Sequence, residues 1–424
     1  MRLTEETNKR IIISLTSFPE RMSSIHLCLN SLYNQSLKAD TILLWLAKEQ
    51  FPNKEHDLPN TLAMDAKAGR IELRWCDDIG SHKKYFYAMQ EYPNDIIVTV
   101  DDDIVYAPDT LEKLYASYIK YPNAISAHRC SLMLFDDKEE LLPCSRWILP
   151  YEALTDTPSH ALMPIGSRGI LYPPKLFDKT LFDIDQIKSN CTFEKTVFFN
   201  DTWIKIHALL LDIPVVLVGS SSKSQQIQEA QTKALKHTES RALRMGETEF
   251  TIWKRALATN PVLRQKLSNI KHSPNYVESE GEAVLKNIAC RFQSMVSDPQ
   301  IKNDDIIQTV HYSLLEVNRQ RALGLSDKKL HPYIREYQRI LQPLSPWPLS
   351  ERTLAFHALF DYGAVLRTKL FGSQFRTHEC YNTMLAAWEE FFRTHAECDP
   401  IYREGYALFL VDMEKAATVW NSTT

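Results

Sequence analysis

The chain has 424 residues, 44% of them apolar and 24% charged, which is typical of a globular protein and too long for one ordinary hydrophobic core, so two domains are expected. Its formal net charge of −4 argues against a general nucleic-acid binder, and eight cysteines without a close pair argue against a zinc site or a redox motif. No segment approaches the ~20 apolar residues of a membrane span, which predicts a cytoplasmic protein and leaves a peripheral position on a membrane open.

The first half of the chain alternates apolar runs with segments of helical spacing. Six runs rich in Val, Ile and Leu predict buried strands: RIIISLTS (10–17), DTILLWLA (40–47), RIELRW (70–75), DIIVTVD (95–101), NAISAHR (123–129) and IPVVLVG (213–219). Helical patterns cover 21–36, 81–92, 109–121 and 201–211. Such alternation is typical of a Rossmann-like, mostly parallel sheet with helices on both faces.

The pattern changes after residue 222, where strand-forming residues become rare and helical spacing dominates. Proline breaks near Pro274, Pro332 and Pro400 divide this part into helices without a strict repeat. We therefore expect an α/β domain over residues 1–245 and an all-helical domain over residues 246–424, whose role the sequence does not identify.

Three predicted strands end on polar side chains. The first ends at Thr16 and Ser17, the third is followed by Asp77 and Asp78, and the fourth ends at Asp101, Asp102 and Asp103. Ligands of parallel sheets bind at the carboxyl ends of strands, so these ends predict one site. Side chains two apart on a strand share a side, so Asp101 and Asp103 should face the site while Asp102 points away. Two carboxylates suit Mg²⁺ or Mn²⁺, which also takes water and phosphate oxygens; the alternative is a solvated turn with an acidic helix cap.

Four blocks of sequence carry a resemblance to a known family. They are IIISLTSFPERM, SHKKYFYAMQEYPNDIIVTVDDDIVY, PIGSRGILYPPKLF and FFNDTWIKIHALLLDIPVV. In this order and spacing they resemble bacterial nucleotide-sugar-dependent glycosyltransferases of the GT-A fold, especially family-2-like enzymes that build capsule and lipopolysaccharide glycans. The resemblance spans residues 9–240. It implies an inverting sugar transfer from a nucleotide diphosphate donor, most simply a UDP-sugar, with Mn²⁺ or Mg²⁺, to a glycan acceptor that is free or lipid-linked.

The resemblance also implies roles for the polar strand ends. Asp101–Asp103 stand at the family's Asp-X-Asp motif, whose first acid approaches the ribose or the metal and whose last acid ligates the metal. Thr16, Ser17 and Arg21 stand where the nucleotide is held after the first strand. The alternative for Arg21 is a solvated charge at the start of a helix.

Four further charged residues follow the third predicted strand. By resemblance, Asp77 or Asp78 accepts a hydrogen bond from the base, and Lys83 and Lys84 reach the base or the diphosphate, for which lysine is a mobile point charge. As alternatives, the lysines are solvated charges and the aspartates cap the helix that begins near residue 82.

The later blocks supply the remaining site residues by resemblance. Asp201 stands where an acid removes the proton from the acceptor hydroxyl, the alternative being a helix N-cap. Gly166–Gly169 form the loop that lines the donor sugar and the acceptor, and Arg168 departs from the family pattern there, facing a phosphate, an acidic acceptor sugar or solvent. His237 completes the metal shell or is a surface histidine.

Two other functions fit the same residues. A nucleotidyltransferase or sugar-phosphate hydrolase would use the same carboxylates, although the first strand lacks the glycine-rich phosphate loop expected of it. A non-catalytic scaffold would use the helical half to recruit glycan-assembly proteins.

Overall fold

The computed structural model describes residues 9–136, 138–149, 151–219, 224–231, 239–273, 276, 280–296, 313, 317, 320 and 325–341. The chain divides into two compact units, Met1–Tyr276 and Val277–Thr424.

Strands and short ladders make up the centre of the first unit. They are β1 (Ile11–Thr16), β2 (Thr41–Ala47), β3 (Glu72–Cys76), β4 (Ile96–Thr99), β5 (Ile104–Val105), β6 (Ile125–Ala127), β7 (Cys130–Leu132), β8 (Leu162–Pro164), β9 (Ile170–Tyr172), β10 (Thr192–Phe193), β11 (Thr196–Val197), β12 (Val215–Leu217) and β13 (Gln225–Gln226).

Helices surround these strands. They are α1 (Ile25–Tyr33), α2 (Asn60–Lys67), α3 (Lys83–Glu91), α4 (Thr110–Lys120), α5 (Ile184–Cys191), α6 (Asn200–Leu210), α7 (Gln228–Gln231), α8 (Glu239–Thr259) and α9 (Pro261–Lys271), followed in the second unit by α10 (Glu280–Val296) and α11 (Asp327–Leu341).

Seven strands form the main sheet, in the order β12-β6-β9-β4-β1-β2-β3. β1 pairs in parallel with β2 and β4, β2 with β3, and β6 with β12, whereas β9 runs antiparallel between β4 and β6. The predicted Rossmann-like, mostly parallel α/β fold is confirmed. All six predicted strands belong to this sheet. The direction of β9 could not be predicted from its three-residue apolar run.

Alternate residues of the sheet fill two separate cores. Ile13 and Leu15 of β1 pack in a cluster that includes residues of α1 and α4, whereas Ile12 and Leu43 pack in a second cluster with Ala88 of α3. Each of these side chains is at most 1% exposed, and full burial of one aliphatic side chain contributes about 1.5–3 kcal/mol. Both sheet faces are therefore covered, and ligands of sheets covered in this way bind at the carboxyl ends of the strands.

The first unit is longer than the predicted first domain. The predicted boundary at residue 245 falls inside α8, and α8 and α9 both pack on α6. Trp253 of α8 and Leu263 of α9 are fully buried. The boundary after Tyr276 follows because the apolar faces of these two helices complete the core of the first unit.

The described part of the second unit is helical. Pro332 lies inside α11 and does not separate two helices there, since the helix keeps its buried side chains Leu330 and Ile334 on either side of the proline. Other predicted helices of this half lie outside the described residues. Among the residues that the structure describes, no helix is long and apolar enough to cross a membrane.

Candidate active site

The three consecutive aspartates lie in a turn at the carboxyl edge of the main sheet. β4 ends at Thr99, so Asp101–Asp103 are outside the strand, and strand alternation does not orient them. Hydrogen bonds do so instead: the backbone N–H of Asp101 donates to the Tyr106 hydroxyl at 2.7 Å. The position at a strand end is as expected, but each carboxylate takes its direction from its own partner.

Asp102 is the most buried of the three carboxylates. Ser17 Oγ donates to its Oδ2 at 2.5 Å, and Arg21 donates to its Oδ1. The same guanidinium lies 3.1 Å from Oδ2 of Asp103. Burial raises the pKa of Asp102 to about 6, against the opposing charge of Arg21. Ser17 and Arg21 were expected in an open position that faces a nucleotide. Both are buried instead, and they hold the acidic turn in place.

Lys84 brings two distant acids together. Its side chain is 5% exposed, and its ammonium group donates to Asp101 Oδ1 at 2.5 Å. Asp201 lies beside the same group: a Cβ atom added to Gly166 would be 3.2 Å from both Lys84 Nζ and Asp201 Oδ2. Although burial acts to lower it, the pKa of Lys84 is raised by the charges of Asp101 and Asp201. Lys84 is therefore a buried counterion, neither the solvated charge nor the free phosphate ligand that the sequence left open.

Asp201 lies in the first turn of α6 but does not cap it. The N-cap position is Phe199, which adopts a left-handed conformation with φ of 64°. Asp201 Oδ2 accepts a hydrogen bond from the Gly166 N–H at 2.8 Å, and Oδ1 accepts one from Asn200 Nδ2 at 2.7 Å. Burial raises the pKa of Asp201, while the charge of Lys84 opposes the rise. A fixed carboxylate with a raised pKa is suited to accept a proton near neutral pH.

The loop that contains Gly166 and Arg168 reaches Asp201 through its backbone. A 3₁₀ turn, Gly166–Arg168, connects β8 to β9. Ser167 in this turn accepts a hydrogen bond from Arg129 Nη1 at 3.1 Å. Arg129 follows β6 and was not predicted, because a single arginine after a short strand has no distinguishing sequence pattern.

Asp78 and Lys83 bind each other at the end of β3. Lys83 Nζ lies 2.6 Å from Asp78 Oδ1, which also accepts the Gly80 N–H at 2.9 Å. Burial acts to raise the pKa of Asp78, but Lys83 outweighs it and the pKa is lowered. Asp78 thus stabilises the turn before α3 through the Gly80 N–H but does not cap α3, whose N-cap residue is His82. Asp77 is largely exposed.

Aromatic side chains border the ends of β1 and β2. Thr16 Oγ1 donates to the Trp45 carbonyl at 2.8 Å, so its hydroxyl proton already takes part in a hydrogen bond within the protein. The rings of Trp45 and Tyr87 stack with centroids 5.1 Å apart. Sequence reasoning missed this pair, since Trp45 is part of an apolar run and Tyr87 of a helical pattern.

The described residues supply at most part of a metal site. Within the described ranges, no group of three or more His, Cys, Asp and Glu side chains is placed to hold a metal ion. The side chains of Asp101 and Asp103 are 31% and 18% exposed, compared with 7% for Asp102. Two accessible carboxylates fit a Mg²⁺-type ion that takes its other ligands from water and a diphosphate. His237 lies outside the described residues.

No protein-family model and no curated protein matches the chain. Solved structures similar to it include glucosyl-3-phosphoglycerate synthase from Mycobacterium tuberculosis, solved with Mn²⁺ and UDP, at 10% identity and a TM-score of 0.33 over 60% of this chain and 80% of that one. Another is S. aureus TarS, at 10% identity and a TM-score of 0.32 over 87% and 93%. A third is the mannosyltransferase PcManGT from Pyrobaculum calidifontis, solved with GDP-Man and Mn²⁺, at 11% identity and a TM-score of 0.37 over 81% and 88%. Likeness at this level does not define an activity, which has to be inferred from the site.

Proposed function

We propose that the protein is a glycosyltransferase that moves a sugar from a nucleotide diphosphate donor to a hydroxyl group of a bacterial surface glycan. One observation carries the proposal. Asp101 and Asp201 are far apart in sequence, yet they meet at the ammonium group of Lys84 on the carboxyl edge of the sheet. A transferase needs two such acids, one near the departing diphosphate and one near the attacking hydroxyl.

Asp201 is the group we assign to the proton. Its two oxygens are held by the Gly166 N–H and by Asn200, and a carboxylate has further lone pairs that accept a hydrogen bond from an acceptor hydroxyl. Taking that proton while the diphosphate leaves from the opposite face of the sugar inverts the anomeric centre. Lys84 keeps Asp201 and Asp101 in one charge-balanced cluster.

The donor end of the proposed site is the acidic turn. Asp101 and Asp103 would hold Mg²⁺ or Mn²⁺, and charge that develops on the leaving diphosphate would be offset by such a cation. Arg21 and Ser17 fix the turn through Asp102. Following the sequence resemblance, we propose a UDP-sugar as donor and a capsule or lipopolysaccharide glycan as acceptor, lipid-linked and reached at the inner face of the membrane.

The proposal is tested by release of nucleoside diphosphate from a panel of nucleotide sugars. We expect Asp201→Asn to lower turnover by about 10²–10⁴-fold, the usual contribution of general-base catalysis, with nucleotide affinity unchanged. Asp109→Asn is the matched control, because Asp109 also stands at a helix start but pairs with Lys113 at the surface. EDTA should stop turnover, and added Mn²⁺ should restore it.

Each part of the proposal has its own contrary result. Full activity of Asp201→Asn would remove Asp201 as the base, and turnover indifferent to EDTA would remove the metal. Release of pyrophosphate would identify a nucleotidyltransferase. Absence of both turnover and nucleotide binding, with glycan-assembly proteins bound instead, would identify a scaffold.

A further inference from the structure

Two arginines lie together beside the proposed base. Arg129 follows β6, and Arg168 ends the 3₁₀ turn before β9. Arg129 is hydrogen-bonded to this turn and to the residue before it: its Nη1 donates to Ser167 Oγ at 3.1 Å, and its carbonyl accepts the Ile165 N–H at 2.9 Å. Both arginines are partly buried. The fold thus holds two positive charges next to each other at the rim of the site.

Among the described residues, neither guanidinium group has an acidic partner. In the part of the chain that the structure describes, no ion pair includes Arg129 or Arg168, whereas Arg21 is paired with Asp102 and Asp103. Burial and the neighbouring charge of Arg168 lower the pKa of Arg129. Two like charges that are partly removed from water cost free energy unless an anion joins them. A guanidinium group binds phosphate or carboxylate through two parallel hydrogen bonds.

The position of the pair favours the acceptor over the nucleotide. β9 is antiparallel, so its first residue lies at the edge where the parallel strands end. In the order β12-β6-β9-β4-β1-β2-β3, Arg129 lies just after β6 and Arg168 just before β9, whereas the strand ends that we assign to the nucleotide are those of β1 and β3. The acidic turn after β4 separates the two groups. Asp201 accepts the N–H of Gly166, two residues before Arg168.

We propose that Arg129 and Arg168 bind an anionic group of the acceptor, a phosphate or a carboxylate, close to the hydroxyl that Asp201 deprotonates. The acceptor is then a charged glycan, and the arginines determine this specificity. The inference rests on the proposed function, because only a transferase has an acceptor at this position.

Matched hexoses test the inference on the full chain. Glucose, glucose 6-phosphate and glucuronate differ chiefly in their charged group, and their affinities are measured by calorimetry in the presence of UDP. We expect wild-type protein to prefer at least one of the two anionic sugars over glucose by about tenfold or more, and the preference to shrink as salt is raised. Arg129→Gln and Arg168→Gln should each lower it, and the double variant should abolish it. Arg335→Gln, which removes an exposed arginine of the second unit, should leave it unchanged.

Separate measurements distinguish failure of the inference from failure of the proposed function. UDP affinity and donor turnover of the wild-type protein report on the function alone. The inference is overturned if wild-type protein binds the three sugars equally or binds none of them, or if the preference survives in the double variant. It is also overturned if the double variant loses UDP affinity instead, since the arginines would then serve the donor. Preference for glucose 6-phosphate alone, or for glucuronate alone, identifies the anion.

Discussion

Substitution Lys84→Met removes the buried ammonium group while keeping a side chain of similar length. Asp101 then loses the cation 2.5 Å from its Oδ1, and Asp201 loses the nearest positive charge among its partners. Water would replace the lost ammonium group only in part, because the side chains of Lys84 and Asp101 are 5% and 31% exposed. We expect a large loss of stability from this single change.

Two routes give the same magnitude for that loss. Breaking a buried ion pair by removing one partner costs about 3–5 kcal/mol. The unpaired carboxylate can instead take up a proton, and protonation at pH 7 of a group with an ordinary pKa near 3.9 costs about 4 kcal/mol. The free energy of unfolding should therefore fall by about 4 kcal/mol.

Lys113→Met is the matched control. Lys113 forms an ion pair of 2.7 Å with Asp109 in the first turn of α4, but the two side chains are 41% and 45% exposed, and exposed pairs of this spacing contribute about 0.3–0.5 kcal/mol. Unfolding in urea is followed by tryptophan fluorescence, and amide exchange of β4 and α3 localises the loss. EDTA is present in every sample, since a divalent cation bound by Asp101 would replace the ammonium group. Equal effects of the two substitutions would refute a buried counterion role for Lys84.

Two further predictions concern the glycine beside Asp201 and a second buried lysine. Gly166→Ala places a methyl group 3.2 Å from Asp201 Oδ2, and displacement of the carboxylate should lower kcat by about tenfold or more with donor KM unchanged. Gly219→Ala is the control, because its added Cβ makes only ordinary van der Waals contact. Equal kcat values of the two variants would contradict the geometry. Lys205 is fully buried, and burial lowers its pKa to about 7. Above pH 7 the unfolded chain therefore binds one more proton than the folded protein. The free energy of unfolding of the wild-type protein should rise by about 1.4 kcal/mol per pH unit from pH 7 towards pH 10 relative to Lys205→Met. If the urea midpoints of the two proteins changed in the same way over that range, the prediction would be disproved.

The sheet could be predicted because its strands are buried on both faces. Runs such as RIIISLTS have no charged residue after Arg10, and burial on both sides makes such a mainly apolar run typical of a parallel sheet. β9 has only three residues, and its antiparallel direction depends on its pairing with β4 and β6. The predicted boundary near residue 245 differs from the division after Tyr276 for a related reason: helical spacing identifies α8 and α9 but not the unit whose core they cover.

The edge that carries the site could be predicted, whereas its contacts could not. Parallel strands bring their carboxyl ends together wherever their sequences lie, which places the aspartates correctly. The partner of Asp102 is 81 residues away at Arg21, and the partner of Asp101 is 17 residues away at Lys84. Such pairs depend on strand register and on the path of α3, and neither leaves a local pattern.

In the proposed site, charge balance bears on how the acidic turn would take a divalent cation while its lysine and arginine are paired. Asp101, Asp102, Asp103 and Asp201 meet two cationic side chains, Arg21 and Lys84, so the acids outnumber the cations among these six residues. Burial raises the pKa values of Asp102 and Asp201, and the charges of Arg21 and Lys84 oppose the rise. A cation with two positive charges would act in the same direction as Arg21 and Lys84 at the two more exposed carboxylates, Asp101 and Asp103. We therefore propose that the buried lysine and arginine orient the acidic turn and leave Asp101 and Asp103 able to hold the cation.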